Sequence, residues 1–265
     1  MQRPTDKRPL GLWLLVAAIA AVTWLFVPRI PQPLQYHQFA DWHVCLGVSN
    51  GYDTLTNLLF MLAGLAGLRF MFSAKGRRTF ADPRAALPYS LFFVAAILVG
   101  FGSGYYHLAP DNSRLLWDRA SISLAMASWF AAILCERVSL TAGLRLLPLL
   151  YAAGLGSVVY WGWSEMQGSG DLRAYGLMQF YPLLLIPLLL IPLLLWLYPP
   201  RYSGDKDIMI TIALYLLALL CDFMDQPIAA VTGVVSGHTA KHVIAALAMY
   251  WVLVRLKRLR LIHDK

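Results

Sequence analysis

Charge is what this sequence has least of. Of 265 residues, 22 are Lys or Arg and 14 are Asp or Glu, together 14% of the chain, where a globular domain carries about 25%. With 59% of residues hydrophobic and a mean hydropathy of +0.59, the composition excludes a disordered or collagen-like chain. It also excludes a nucleic-acid partner and leaves too little polar surface for a soluble enzyme. Cysteine is scarce too: Cys45, Cys135 and Cys221 are odd in number and have no C-x-x-C spacing, which argues against a disulfide framework and a thiolate metal site. They read as small apolar residues. Neither a Gly-rich phosphate loop nor a nucleophile elbow is present. What fills the chain instead is long apolar runs.

A helix needs about 20 apolar residues to cross about 30 Å of hydrocarbon. Eight stretches qualify, at 10–27, 53–72, 87–107, 116–136, 144–163, 175–197, 208–225 and 238–256, so the fold expected is an all-α polytopic transmembrane bundle. The first run follows Arg3, Lys7 and Arg8 like a signal peptide, but it is long and has no convincing small-residue cleavage site; it reads as a retained helix. With the N-terminus in the cytoplasm, sixteen Lys and Arg fall in inside segments, and only Arg29, Arg114 and Arg173 fall outside. That bias predicts both termini inside. The runs Leu183–Pro187 and Leu188–Pro192 resemble a five-residue repeat, though two prolines in a span more simply indicate a kinked helix.

Ionisable groups within spans are costly, by at least about 2.5–3.5 kcal/mol each on insertion scales, and mark function by default. Most of them here share one level, the outer end. Ser103 and His107 lie four apart at the end of the third span, Asp118 opens the fourth, and His238 and His242 open the eighth. An H-x-x-x-H pair can present two imidazoles to one ion, and a third His from a neighbouring helix completes a set that suits zinc with an open position. Zinc lowers the pKa of a water held there towards about 7 and polarises a carbonyl, while Asp118 can accept the proton and Ser103 can donate to the developing oxyanion. Singly, these residues have plainer readings. Asp118 can pair with Arg114 or favour a helix start, Ser103 can bond its own helix, and interfacial histidines often only hydrogen-bond.

Ser103-x-x-x-His107, an Asp eleven residues on, and His238-x-x-x-His242 opening the last helix together resemble the alkaline ceramidase family. That family lies within a wider superfamily of seven-helix membrane hydrolases and progestin and adipoQ receptors. The resemblance implies a seven-helix domain at 36–256, preceded by a tail and extra helix at 1–35 and followed by a basic tail at 257–265. It implies a catalytic zinc on His107, His238 and His242, with Ser103 and Asp118 assisting hydrolysis of an N-acyl lipid such as ceramide to release a fatty acid. The expected setting is a bacterial inner membrane, with the active site on the periplasmic side and a membrane lipid as the substrate. A zinc-stabilised receptor or transporter of the same superfamily is the alternative, and a proton-relaying histidine cluster is a second one.

The segment from Tyr36 to Trp42, continuing through Asp53 and Thr56-Asn57, also resembles the family's acidic loop, where eukaryotic members bind calcium. Here His43, Val44, Cys45 and Leu46 stand where those enzymes carry ligands. Asp41, Asn50 and Asp53 remain as oxygen donors, short of the roughly six to eight that calcium takes, so calcium is not expected. The alternative is that Asp41 and Asn50 close turns and Asp53 caps the second span. Asp222 and Asp225, at the end of the seventh span, are candidates to bond a ligand imidazole or a polar headgroup. Glu165, Asp171, Arg173 and Gln179 read as a solvated outer loop, with headgroup contact as the alternative.

Overall fold

The computed structural model describes residues 7–45, 47–178 and 190–262. Among them every named regular element is helical: α1 (Arg8–Phe26), α2 (Gly51–Thr56), α3 (Leu58–Met71), α4 (Ala86–Leu108), α5 (Asn112–Arg137), α6 (Leu140–Met166), α7 (Arg173–Met178), α8 (Ile191–Leu197), α9 (Asp205–Phe223), α10 (Asp225–Thr232) and α11 (Gly237–Arg258). The fold is an all-α bundle.

Five helical stretches are long and apolar enough to cross a membrane: α1, α2 with α3, α4, α6 and α11. Eight were expected, and the differences have physical causes. The expected fourth span is α5, which starts one turn early and carries Arg114, Asp118, Arg119, Glu136 and Arg137, too many charges for a span judged by composition. The expected seventh span is α9, which ends at Phe223, close to the expected boundary, and turns by 78° into α10; it passes only together with α10. The expected sixth span is helical at both flanks, in α7 and α8, while 179–189, with Gln179, Pro187 and the first of the two repeated runs, lies outside the described residues.

Neighbouring helices pack in the order α6, α5, α4, α3, α11, α9. Helix α1 lies at the periphery against α7, with Thr23 its one buried residue. Two charges near the end of α5 are matched by partners from other helices. Glu136 accepts from Arg255 Nη2 at 2.6 Å and from the Tyr89 hydroxyl at 2.6 Å, which joins α5, α11 and α4, and Arg137 pairs with Asp205 at the start of α9. Loss of one partner from a buried pair of this kind costs about 3–5 kcal/mol, so these contacts fix the end of the bundle that carries the basic segments.

At the opposite end, two glycines allow the close approaches on which the site depends. A Cβ at Gly102 would stand 2.6 Å from the Trp117 carbonyl oxygen, and one at Gly237 would stand 2.2 Å from that of Cys221. The first contact brings the Ser103 turn of α4 onto the Asp118 turn of α5. The second seats the start of α11 in the bend between α9 and α10.

The loop between α6 and α7 is not solvated as expected. Asp171 and Arg173 are buried, and Asp171 accepts from Arg173 at 2.8 and 2.7 Å and from Tyr160 at 2.9 Å. Arg173 Nη1 also donates to the carbonyls of Trp24 and Val27, holding the end of α1. Burial pushes the Asp171 carboxyl up, but its bonds to Arg173 outweigh this and hold it below the ordinary value. Glu165 accepts from the Gln32 amide and from Trp161 Nε1. These groups are spent on structure rather than on headgroup contact.

Candidate metal centre

His107 comes from the last turn of α4, and His238 and His242 come from the first two turns of α11. All three are buried, and one nitrogen from each lies within 4.8 Å of the others. Among the described residues they are the one set of His, Cys, Asp and Glu side chains placed to share an ion.

The start of α11 is built to place them. Ser236 caps the helix by accepting from the Thr239 amide at 2.9 Å, and Asp225 accepts from the His238 amide at 2.8 Å, so two otherwise unpaired first-turn N–H groups are satisfied. Asp53, from the first turn of α2, accepts from the Ser236 and Thr239 hydroxyls at 3.2 and 2.5 Å. Two carboxylates thus sit at the positive end of this helix.

The ring nitrogens decide what the cluster can hold. His238 Nδ1 lies 2.7 Å from Asp222 Oδ1, and His242 Nδ1 lies 3.0 Å from both the Asp53 carbonyl oxygen and Thr56 Oγ1. Each outer nitrogen is therefore anchored as ligating histidines usually are, with Nε2 left to face the centre. The Nε2 atoms of His238 and His107 approach to 3.1 Å, close to the roughly 3.3 Å that separates two nitrogens on a tetrahedral zinc with bonds of about 2.0–2.1 Å. His107 Nδ1 is buried without a hydrogen-bond partner among the described residues. Three imidazoles with two anchored outer nitrogens fit a divalent cation, and the cluster can bind a metal ion.

Ser103 and Asp118 line the same cavity as His242. The plainer reading of Asp118 as a partner of Arg114 does not describe the structure, since Arg114 lies beside Asp111, the N-cap of α5, at 3.7 Å. From this polar end the cavity runs between α4, α5, α9 and α11 past Phe92, Val99, Ile122, Met126, Trp129 and Met249, with a free volume of about 100 Å³. It is a narrow apolar slot with polar groups at one end.

Of the other expected site residues, Asp222 contacts a histidine ring and Asp225 contacts backbone. Asp225 bridges the amides of Ala40 and His238, and so ties the loop before α2 to α11. Asp41 accepts from the amides of His43, Tyr52 and Asp53 and from His43 Nδ1. Its lone pairs are used in capping α2, the role expected of Asp53. Asn50 takes a left-handed turn at φ 49°. Asp41 and Asp53 do not form a metal-ligand group among the described residues.

Three neighbours of the centre escaped sequence reasoning. Lys241 bonds Asp222 at 3.1 Å and lies 3.1 Å from His238 Nδ1. Phe39 packs at a tilt against His107 and His238 with ring centroids 4.6 and 4.3 Å away. His37 bonds the Tyr106 hydroxyl at 2.8 Å and Asn112 at 2.9 Å. Lys241 was visible as a basic residue between two histidines on a helix; Phe39 and His37 sit in a loop with no periodic signal.

No protein-family model, curated protein or solved structure matches the chain. The resemblance to the alkaline ceramidases is therefore one of motif and spacing.

Asp222 offers a direct check of the centre. Asp222→Asn keeps the side chain's size but removes the charge that orients His238, and zinc affinity is expected to fall by about 10–100-fold. Competition with a calibrated chelator measures it, and an unchanged affinity would show that Asp222 does not support the ion.

Proposed function

We propose that this protein is a zinc-dependent intramembrane amide hydrolase that cleaves ceramide or a related N-acyl lipid and releases a fatty acid. The reading is supported above all by one arrangement: three buried histidines beside Ser103 and Asp118 at the polar end of an apolar cavity.

Zinc, when bound by His107, His238 and His242, supplies the Lewis acidity that polarises the amide carbonyl and lets a water ionise near neutral pH. The chain's own residues do the rest. The apolar wall of Val99, Ile122, Met126, Trp129 and Met249 holds the acyl chain and excludes water. Asp118 takes the proton of the attacking water as the oxygen–carbon bond forms, then passes it to the amine nitrogen as the carbon–nitrogen bond breaks. Ser103, which lines the same cavity, turns its hydroxyl to the oxygen that becomes negative. The products are a carboxylic acid and a free amine, with all atoms of the water accounted for.

The helical stretches apolar enough to span a membrane fit an integral membrane protein. The charge bias supports a reading with both termini in the cytoplasm and the site at the periplasmic side of an inner membrane. The test is a panel of N-acyl lipids presented to the purified protein in neutral micelles and scored for released fatty acid. Release from at least one member is expected. Stoichiometric zinc with no release from any member would favour the receptor or transporter reading.

A further inference from the structure

Arg119 is the buried cation of α5 that the mechanism leaves unused. It is 5% exposed, and its guanidinium lies against Trp161, Tyr175 and Tyr36, with the carbon 4.0, 4.8 and 5.6 Å from the ring centroids. Nη2 donates to Gln32 Oε1 at 2.5 Å. Nη1 is buried and has no hydrogen-bond partner among the described residues. Of the other ionic side chains around it, Asp222 bonds Lys241 and His238, Asp225 bonds two backbone amides, and Asp118 acts on Arg119 through its charge. A buried donor left without a hydrogen-bond partner is costly for a fold to retain, and a guanidinium keeps its charge under all ordinary conditions.

Its position shows what would complete it. The apolar slot ends at Tyr36, Arg119, Tyr175, Leu219 and Asp222, and the same five residues form the inner wall of a second, wider cavity of about 1610 Å³ including its opening. That vestibule has the polar lining of Gln32, Gln35, Gln38 and Gln226, with His238 on one side. An acyl chain in the slot leaves the amine half of the lipid in the vestibule, and Arg119 lines both cavities at their junction.

We propose that Arg119 receives an anionic oxygen group, a carboxylate or a phosphate, on the headgroup half of the lipid, so that the chain prefers acidic N-acyl lipids to neutral ones. The proposal rests on the proposed function for which half of the lipid lies in which cavity. Arg119 is a specificity-determining residue, its planar fork held by the aromatic rings and one amide with a donor to spare.

The test uses the full chain, zinc-loaded, in neutral micelles. Its probes are non-hydrolysable ketones in which CH2 replaces the amide N–H, matched in chain length and ending in a carboxylate, a phosphate or an alcohol. The wild type is expected to bind at least one acidic probe about tenfold or more tightly than the alcohol, as a charge-assisted bond implies, and the tighter of the two acids identifies the source of the anion. Arg119→Gln should bind all three alike with zinc content unchanged, and Arg119→Lys should keep part of the preference. Equal binding of all three probes by the wild type, or a preference that survives in Arg119→Gln, would overturn the proposal. No arm requires turnover, so failure of the hydrolase reading would leave the acid preference standing or falling by itself.

Discussion

Replacing Asp118 by Asn lowers fatty-acid release by about 10²–10⁴-fold, the usual worth of a positioned general base, while zinc content stays near that of the wild type. The substitution preserves shape, so packing at the α4–α5 contact should survive. What is lost is the capacity to take a proton. Ser103→Ala removes a donor rather than a base, and on the oxyanion reading it costs about 10²-fold or more, again with zinc retained. Fatty-acid release and elemental analysis on the same preparations read both quantities. If Asp118→Asn loses the zinc instead, Asp118 is a fourth ligand, the site is closed, and the structural reading replaces the hydrolase.

Removing a ligand has the opposite signature. His238→Ala or His242→Ala is expected to reduce bound zinc from about one per chain to a small fraction, because two imidazoles cannot hold a tetrahedral ion as three do. Hydrolysis should fall with it. The two variants differ in what they leave behind: Asp222 and Lys241 lose the His238 ring between them, whereas loss of His242 frees Thr56 Oγ1 and the Asp53 carbonyl. Since both positions are buried, circular dichroism should accompany the metal analysis. Stoichiometric zinc in a folded variant lacking His107, His238 and His242 together would place the metal elsewhere.

The sequence carries the helical class and the histidine cluster, because both follow from local spacing. Apolar runs of about 20 residues have one economical solution in lipid, and His238-x-x-x-His242 falls on one face of a helix whatever surrounds it. Less local features were hidden. The break at Met224 arises where α11 must seat against Cys221 and Asp225 through Gly237, a contact between residues with no periodic relation. The partners of Glu136 and Arg137 were not visible, because Arg255, Tyr89 and Asp205 are brought to them from other helices. Asp41 read as an oxygen donor; its engagement with three backbone amides depends on how the loop before α2 folds back. Asp171 and Arg173 looked like loop charges because two residues of separation do not reveal burial.

The central claim, that hydrolysis occurs at the three-histidine centre, is tested most directly by titrating zinc into metal-stripped protein while measuring fatty-acid release from a lipid that the native protein cleaves. Release is expected to be near zero after stripping, to rise in proportion to added zinc and to level off at about one equivalent per chain. Release that persists undiminished in the stripped protein, or that stays absent when one equivalent is bound at the histidines, would contradict it.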